Sequence, residues 1–568
     1  MKKKFIILTL LSTFALSGCF LDNFFKKKEE TPSEEVEPKV DPPAEEEEKP
    51  EKGEQLDFKQ VGEFYGGVVK NKLYTGYEFS KSQETITKPT SGIGEVTIFA
   101  FNDFHGAVLS DTDEAGLKYM GTFYKEKSQL ENTLIIDQGD TYQGSFESNY
   151  QYGAIVQDVF NYAGVSIRTV GNHDIDWGLD KLESLNNRKI GDDYIPSLCA
   201  NIYDYANHTN GTIQQGQYGM EYGIFTLDNG IKVGVIGVIG KEQISTICSN
   251  LVENICFTDH IDKAMEMSDY LRTKKECDII VVSAHEGMSN MAYAGLSAGS
   301  GVSHKRYADL VLCGHEHTYQ LNTVGGVKYI QWDSNGQSTG SVKLKFNFET
   351  NSLIDDQTEV TTYNAEYYKN NYSTYESTIE QMVDDYLVST STKSAEVLST
   401  NFSGYYSTTA LGYMMSEAIY DAVKTAGYTV DFAVCNYARK YFKGTNYTFG
   451  DLYRSFPFDN QIIIMDIANQ TSYNSLFHNM TYRESTSLKP DPFGHYKIAV
   501  VDYIGLHQNA NRNYDYFPGA TNLEVFKPNE NEEAPVYRDI LMNYLKNNPA
   551  KDFSSSNYST SNKHFTLD

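Results

Sequence analysis

The sequence contains no Cys-x-x-Cys pair, although it has seven cysteines among its 568 residues. A zinc site built from thiolates is therefore not expected, because such sites draw on closely spaced cysteines. Basic residues are also scarce: 48 lysines and arginines face 76 aspartates and glutamates, which gives a formal net charge of −28. This negative charge argues against nonspecific binding to a nucleic-acid polymer.

The N-terminus lacks an apolar run long enough to span a membrane comfortably. A basic start, MKKK, precedes the apolar stretch FIILTLLSTFAL, which ends in LSGC at Cys19. This arrangement resembles a bacterial lipoprotein signal, in which residues 1–18 are removed and Cys19 is lipidated. An ordinary secretory peptide cut nearby is the alternative. The lipoprotein signal predicts a protein anchored by lipid to the extracellular face of the cell membrane.

The chain is too long for one core, so we expect two or more domains. Residues 29–52 carry eleven acidic residues and three lysines, typical of a disordered, self-repelling tether. The predicted divisions are a signal peptide (1–18), an acidic tether (19–55), an unassigned lead-in (56–93), a first domain (94–365), a linker helix (366–395) and a C-terminal domain (396–568).

Short apolar strands alternate with helical stretches in the first domain, which predicts an α/β fold. The expected strands are 95–103, 132–140, 165–174, 194–201, 230–240, 277–287, 308–317, 328–333 and 340–349. Four cysteines lie in or beside apolar runs and are expected to be buried thiols: Cys199, Cys277, Cys313 and Cys435. Cys248 and Cys256 either close a small disulfide loop or remain thiols.

Polar side chains end five of these apolar runs, in the motifs FNDFHG, DQGD, GNHD, SAHEG and GHEH. Carboxylate and amide oxygens and imidazoles without thiolates suit Mn, Fe, Zn or a similar divalent ion. Seven candidate ligands are too many for one ion, but two ions that share a carboxylate would fit them. The candidate ligands are Asp103, His105, Asp140, Asn172, His285, His315 and His317.

At these motifs the sequence resembles the calcineurin-like metallophosphoesterases, and within them the bacterial 5′-nucleotidase, UDP-sugar hydrolase and 2′,3′-cyclic phosphodiesterase family. The resemblance implies a four-layer αββα catalytic domain (94–365) and a separate α+β substrate-binding domain (396–568). It implies that Asp140 bridges two ions. One ion would be held by Asp103, His105, Asp140 and His317, and the other by Asp140, Asn172, His285 and His315.

The family's catalytic pair falls on His173 and Asp176, which follow Asn172 in GNHDID. In the family the histidine points at the phosphoryl group, and the carboxylate orients it. An imidazolium there stabilises developing negative charge or protonates the leaving oxygen. Asp174 is expected to support or cap this loop.

The family's substrate motifs are only partly present in the C-terminal domain. VCNYAR supplies Asn436 and Arg439 without the usual glycines, and FPFDN supplies Phe458. In LHQNANRNYDYF the second stacking aromatic is Tyr514, Tyr516 or Phe517, with Tyr516 taken as the candidate. The arginine that usually precedes the L-G of TTALGYMM is absent.

The resemblance implies hydrolysis of a small phosphoester by a hydroxide activated by two metal ions. Nucleoside 5′-monophosphates are the leading substrates, in nucleotide catabolism. The alternatives are 2′,3′-cyclic nucleotides, UDP-sugars or a phosphoester without a nucleotide. An alternative of another class is a surface lipoprotein that binds nucleotides without turning them over.

Overall fold

A computed structural model describes residues 76–80, 86–190, 194–204, 218–248, 251–252, 255–468, 479–485, 494–507, 516–529, 531–561 and 563–567, all within one unit, Gln55–Asp568. Cys19, the signal peptide, the tether, most of the lead-in and Tyr514 lie outside these residues. Within the described ranges, no helix is long and apolar enough to cross a membrane.

The first domain consists of strands and helices in alternation. Its strands are β1 (Gly76–Ser80), β2 (Ile93–Phe101), β3 (Thr133–Asp137), β4 (Ile167–Thr169), β5 (Ser197–Leu198), β6 (Ile202–Asp204), β7 (Tyr222–Thr226), β8 (Lys232–Ile239), β9 (Ile255–Phe257), β10 (Ile279–His285), β11 (Leu310–Cys313), β12 (Gln320–Val324), β13 (Val327–Gln331), β14 (Ser338–Asn347), β15 (Ser352–Leu353) and β16 (Glu359–Asn364). Its helices are α1 (Leu117–Lys127), α2 (Phe146–Asn149), α3 (Ala154–Ala163), α4 (Leu179–Asn186), α5 (His260–Lys274), α6 (Met288–Ala292), α7 (Ala365–Asn371) and α8 (Ser377–Ser394).

Two sheets of seven strands pack face to face. The first sheet has the order β1-β7-β8-β10-β11-β13-β12; the second has the order β15-β14-β2-β3-β4-β5, with β16 also paired to β14. Strands β8, β10, β11 and β13 run parallel in the first sheet, and β2 to β5 run parallel in the second. Parallel strands covered on both faces are continuous apolar runs, and every residue of β10 is buried.

The layers follow from where the apolar side chains lie. Val96 and Ile98 of β2 pack between the sheets with Val235 of β8 and Val281 of β10. Helices α1, α3 and α8 cover the outer face of the second sheet, and α5 covers that of the first. The predicted αββα sandwich is therefore confirmed.

The C-terminal part has its own core and sheet. Its strands are β17 (Val397–Ser399), β18 (Tyr405–Tyr406), β19 (Phe432–Cys435), β20 (Phe442–Lys443), β21 (Tyr447–Thr448), β22 (Ile462–Ala468), β23 (Asn479–Tyr482), β24 (His495–Val501), β25 (Thr521–Val525) and β26 (His564–Leu567). Its helices are α9 (Thr408–Thr425), α10 (Phe449–Ser455), α11 (Asp502–Gly505) and α12 (Tyr537–Asn547). Six strands form a mixed sheet in the order β25-β22-β24-β19-β23-β26.

Three points that the sequence left open or predicted differently are decided by the structure. The stretch 366–395 holds two helices, because α7 ends and the Glu376 carboxylate caps a new helix by accepting from the amides of Thr378 and Ile379. The lead-in supplies β1, which pairs in parallel with β7 at the edge of the first sheet. The disulfide alternative is wrong, since Cys248 and Cys256 are not bonded to each other and remain thiols, with Cys256 Sγ 3.6 Å from the carbonyl oxygen of Tyr203. The four cysteines expected to be buried thiols are buried and free.

Candidate functional site

All seven predicted ligand residues lie where parallel strands end. Asp103 and His105 follow β2, Asp140 follows β3 and Asn172 follows β4, all in the second sheet. His285 ends β10, and His315 and His317 follow β11, in the first sheet. Because parallel strands present their carboxyl ends at one edge, the two packed sheets bring these side chains together.

The side chains form two groups that share one carboxylate. Ligand atoms of Asp103, His105, Asp140 and His317 all lie within 4.8 Å of one another, as do those of Asp140, His285 and His315. Asn172 Oδ1 lies 3.0 Å from His285 Nε2 and 3.1 Å from His315 Nδ1, so the amide oxygen belongs with the second group. This grouping matches the ligand division that the family resemblance implies.

Backbone carbonyls orient two of the imidazoles toward the centre. His105 Nδ1 lies 2.9 Å from the carbonyl oxygen of Gln143, and His285 Nδ1 lies 2.9 Å from that of Gln138. A carbonyl only accepts, so each Nδ1 carries a proton and each Nε2 is turned toward the cluster. His105 Nε2 lies 3.0 Å from His317 Nε2.

The centre of the cluster has a buried carboxylate oxygen that only imidazoles approach. Asp140 Oδ2 is buried and makes no hydrogen bond of regular geometry within the described residues, and its nearest imidazole nitrogen, His285 Nε2, lies 3.1 Å away. A buried carboxylate oxygen without a partner costs free energy that a bound cation removes. Hard oxygens and imidazole nitrogens around it suit a borderline divalent ion, so the residues present fit the predicted metals.

Electrostatics leave two of the imidazoles neutral. Burial lowers the pKa of His105 to about 3 and that of His315 to about 4. Burial alone would also lower the pKa of His285, but the Asp140 carboxylate outweighs it and raises that pKa to about 10. A cation that binds at His285 therefore displaces a proton.

The backbone of the cluster is strained. Five of the seven residues have φ in the left-handed region: Asp103 (50°), His105 (48°), Asp140 (54°), His315 (80°) and His317 (59°). Residues other than glycine seldom adopt this conformation, and each such residue costs of order 1 kcal/mol or more. Strain of this kind persists where the surrounding structure fixes it, and it concentrates at functional sites.

The motif GNHD connects the loop after β4 with the loop after β3. A Cβ at Gly171 would lie 2.2 Å from Asp140 Oδ1, so only glycine permits this close approach. The Asp174 carboxylate accepts from the amides of Asp140 (3.2 Å), Thr141 (3.0 Å) and Gly171 (2.9 Å). Asp174 thus ties the loop after β3 to the loop after β4, as a supporting residue.

His173 lies beside the cluster and is fixed by two acids. Its Nδ1 lies 2.7 Å from Asp176 Oδ2, and its backbone amide donates to Asp140 Oδ1 at 2.8 Å. Burial opposes protonation of the ring, but Asp176 and then Asp140 outweigh it and raise the pKa of His173. Because Asp176 engages Nδ1, the atom left to act on another group is Nε2.

A cavity of about 460 Å³ connects His173 with the C-terminal part. The first domain lines it with Asn172, His173 and His315, and the C-terminal part lines it with all four predicted substrate residues: Asn436, Arg439, Phe458 and Tyr516. Tyr516 and Phe517 are both buried in the C-terminal core, and of these two only Tyr516 lines the cavity. A second cavity, of about 810 Å³, is lined by His105 and His317, and Tyr437 and Arg439 line both cavities.

Residues 96–319 match the family model of the calcineurin-like phosphoesterases. This region is a calcineurin-like phosphoesterase domain. The family predicted from the metal-ligand motifs is therefore confirmed for this part of the chain, and the enzymes of that family are hydrolases that use divalent metals.

The chain is also similar to two curated bacterial proteins. Endonuclease YhcR of Bacillus subtilis is 24% identical over 408 residues, which cover 65% of this chain and 32% of that protein. Cell wall protein Lmo0130 of Listeria monocytogenes is 23% identical over 314 residues, which cover 48% of this chain and 39% of that protein. The chain thus spans well under half the length of these two relatives.

Among solved structures, a 5′-nucleotidase precursor from Thermus thermophilus has a similar fold. The TM-score is 0.62 at 15% sequence identity, and the match covers 81% of this chain and 99% of that one. Because the match covers far more than residues 96–319, the shared fold extends beyond the phosphoesterase domain.

Sequence reasoning missed several residues that line the first cavity. The phosphoesterase domain contributes Tyr152, Trp177 and Lys181, with Lys181 Nζ 4.3 Å from the ring centroid of Tyr152. Tyr503 of α11 contributes from the C-terminal part. Trp177 follows Asp176 directly and was the one residue that a motif could have indicated.

Proposed function

We propose that this protein is an exported, metal-dependent phosphoester hydrolase whose leading substrates are nucleoside 5′-monophosphates. The observation that carries the proposal is the position of His173, between the Asp140 cluster and a cavity lined by Arg439 and aromatic side chains. A phosphate at the cluster would have its organic group in that cavity.

The proposed metal centre uses the seven clustered residues, with Asp140 shared by two ions. Bound divalent ions would supply Lewis-acid polarisation of the phosphoryl oxygens and a hydroxide nucleophile at neutral pH. The protein's own part is to hold the ligands in place: backbone carbonyls fix His105 and His285, and Asp174 fixes the loops around Asp140. The donor set supports Mn, Zn or Fe.

His173 is the proposed catalytic residue, and Asp176 is its partner. With Nδ1 engaged by Asp176, a protonated Nε2 can stabilise charge on the phosphoryl group or donate a proton to the leaving oxygen. The nearby acids favour the protonated ring, which supports this role.

The cavity wall supports a nucleoside as the leaving group. Phe458 and Tyr516 line the cavity with aromatic rings, and stacking on an aromatic ring is worth about 1–3 kcal/mol per base. Arg439 and Asn436 offer donors for a sugar or phosphate. Rings for the base together with polar donors for the sugar are what a nucleoside site requires.

The second cavity favours diesters as a second candidate. A phosphomonoester has one organic group, whereas a diester or a UDP-sugar has one on each side of the linkage. The 810 Å³ cavity beside His105 and His317 provides room for that second group. Cyclic and linear phosphodiesters therefore belong in the substrate panel.

Export and lipid attachment at Cys19 are proposed from the N-terminal sequence. The similarity to a protein named as a cell wall protein supports a surface location. Labelling of cells with a radioactive fatty acid, with Cys19→Ala as the control, tests the anchor. A label that survives in the Cys19→Ala protein would contradict it.

The function is tested by phosphate release from AMP, cyclic AMP isomers, UDP-glucose and sugar phosphates, with added Mn²⁺. We expect AMP turnover by the wild-type protein and its loss in His173→Ala, with the metal content unchanged. Turnover of other esters alone would reject the nucleotide assignment and keep the hydrolase. Bound metal without turnover of any ester would support the nucleotide-binding lipoprotein instead.

A further inference from the structure

The loop 142–145 holds the proposed metal ligand His105 through its backbone. The carbonyl oxygen of Gln143 accepts from His105 Nδ1 at 2.9 Å, and the amide of Ser145 donates to the His105 carbonyl at 3.3 Å. The loop passes so close that a Cβ at Gly144 would overlap the His105 carbonyl oxygen. The position of the His105 imidazole therefore depends on the position of this loop.

A carbonyl of the C-terminal part holds the loop in turn. Gln143 Nε2 donates to the carbonyl oxygen of Pro457 at 3.1 Å, and Asn149 Nδ2 donates to the same oxygen at 3.0 Å. Asn149 Oδ1 also accepts from the amide of Gly144 at 2.9 Å, so the Asn149 side chain connects the loop with Pro457. Both amide side chains are buried, and a buried donor that loses its acceptor is unfavourable.

The same stretch of the phosphoesterase domain makes an aromatic contact with the C-terminal part. Phe146 is buried, and its ring centroid lies 5.3 Å from that of Phe449 and 5.0 Å from that of Tyr453. Phe146 belongs to the segment 143–149, which also contains the two amides that donate to the C-terminal carbonyl. This segment therefore docks the C-terminal part and supports His105 at the same time.

Arg538 fixes the Pro457 carbonyl from inside the C-terminal part. It is buried and donates to the carbonyl of Phe456 at 3.0 Å and to that of Phe458, the two residues that flank Pro457. It also pairs with Asp459. An acceptor held in this way cannot follow the loop if the two parts of the chain separate, so its contact with the loop depends on docking.

We propose that Gln143 is a positioning residue through which docking of the C-terminal part and binding of one metal ion favour each other. The ion concerned is the one assigned to Asp103, His105, Asp140 and His317. The inference rests on that proposed metal centre and not on the identity of the substrate. Docking fixes the loop around His105, so the docked arrangement offers the better ligand set. A ligand that binds one arrangement better shifts the protein toward it, and such a coupling is reciprocal.

The other proposed ion provides an internal comparison. His285, one of its ligands, donates from Nδ1 to the carbonyl of Gln138, which belongs to the phosphoesterase domain itself. Its orientation therefore does not pass through the C-terminal part. We expect the ion at His285 to respond less to docking than the ion at His105, which distinguishes a specific linkage from a general loss of structure.

The first test replaces Gln143 by methionine, which is similar in length but has no donor, and leaves the backbone carbonyl that orients His105. Native mass spectrometry counts the ions bound while the metal-free protein is titrated with Mn²⁺. We expect one of two ions to bind about 5- to 150-fold more weakly in Gln143→Met, the usual range for coupling between sites, while the other changes little. Gln129→Met, at an exposed glutamine of the same domain, is the matched control.

A second variant acts from the C-terminal part. Phe449→Leu removes the aromatic contact with Phe146 and alters no ligand of either ion. It should weaken binding of the same single ion as Gln143→Met does, because both variants impair docking. Melting temperatures of the two variants show whether each protein is folded, and Phe449→Leu decides alone if Gln143→Met is not.

Hydrogen exchange measures the linkage in the opposite direction and without turnover. Peptides that cover residues 449–459 report docking, because they include Phe449, Tyr453 and Pro457. Mn²⁺ should slow their exchange in the wild-type protein by stabilising the docked arrangement. The same addition should have little effect on these peptides in Gln143→Met.

Three results would overturn the inference while the metal centre stands. They are unchanged Mn²⁺ binding in Gln143→Met and Phe449→Leu, equal weakening of both ions, and exchange of residues 449–459 that does not respond to Mn²⁺ in the wild type. A wild-type protein that binds no Mn²⁺ would instead reject the proposed metal centre, and this inference with it. Failure of the proposed function is thus distinguished from failure of the linkage.

Discussion

The Asp140 cluster and the C-terminal wall of the first cavity are built by opposite means. Each cluster residue sits at a strand end, most are buried, and supporting hydrogen bonds fix the loops that carry them. The wall comes from four separate stretches, around Arg439, Phe458, Tyr503 and Tyr516, and Arg439 is exposed. We therefore expect the cluster to tolerate few substitutions. Substitutions in the wall are expected to change which ligand binds.

The largest effect is expected at the shared carboxylate. Asp140→Ala removes the group common to both ligand sets, so we expect loss of bound metal and a fall in phosphate release of more than about 100-fold. Metal content by mass spectrometry, measured beside activity, checks this expectation. Asp180→Ala, an exposed acid on α4, is the matched control. Retention of both metals in Asp140→Ala would contradict a shared ligand.

The next largest effect is expected at His173, where a substitution should impair the chemical step without loss of metal. His173→Gln should lower kcat by about 10²- to 10⁴-fold, the usual range for a general acid, while the metal content stays at the wild-type value. Asp176→Asn should produce a smaller loss, because it removes the orienting charge and leaves the imidazole. If metal were lost with His173, its side chain would belong to the cluster instead.

A smaller effect is expected from the residue that supports the cluster. Asp174→Asn weakens the acceptor of three backbone amides, so the loops that hold Asp140 and Asn172 should loosen. We expect metal affinity to fall by about 10- to 100-fold, the range for supporting residues of metal sites. Titration of the metal-free protein with Mn²⁺ measures the change, and an unaltered affinity would mean that the loops hold without Asp174.

The smallest effect is expected in the wall. Tyr516→Ala should raise KM for AMP by about 5- to 150-fold, which corresponds to about 1–3 kcal/mol of stacking. Its kcat on ribose 5-phosphate, an ester that lacks the base, should match that of the wild type. Equal losses of kcat on both esters would show that the wall tolerates substitutions no better than the cluster does, which would contradict the difference described above.

The cluster could be predicted from the sequence because each of its motifs is a short, contiguous stretch. Asp103 and His105 are two residues apart, and each motif directly follows an apolar run that becomes a buried strand. The αββα layers were predictable for the same reason, since β10 and β11 are continuous apolar runs.

The parts that the sequence did not predict depend on distant segments. Strand β1 gains its partner only when residues 222–226 lie beside it, and its own residues, GYEFS, are half-buried or exposed. Tyr152 and Tyr503 face one cavity from opposite parts of the chain, and no spacing relates them. The contact of Phe458 with His173 likewise depends on how the two parts pack.

The cluster draws on both sheets, and this has a consequence for biosynthesis. His315 contacts the Asp103 carboxylate across 212 residues of sequence, so neither ligand set is complete until both sheets have formed. A chain that crosses a membrane unfolded cannot carry its ions with it. If the protein is exported in that state, the metal it uses is set by the ions available outside the cytoplasm rather than by those where it was synthesised.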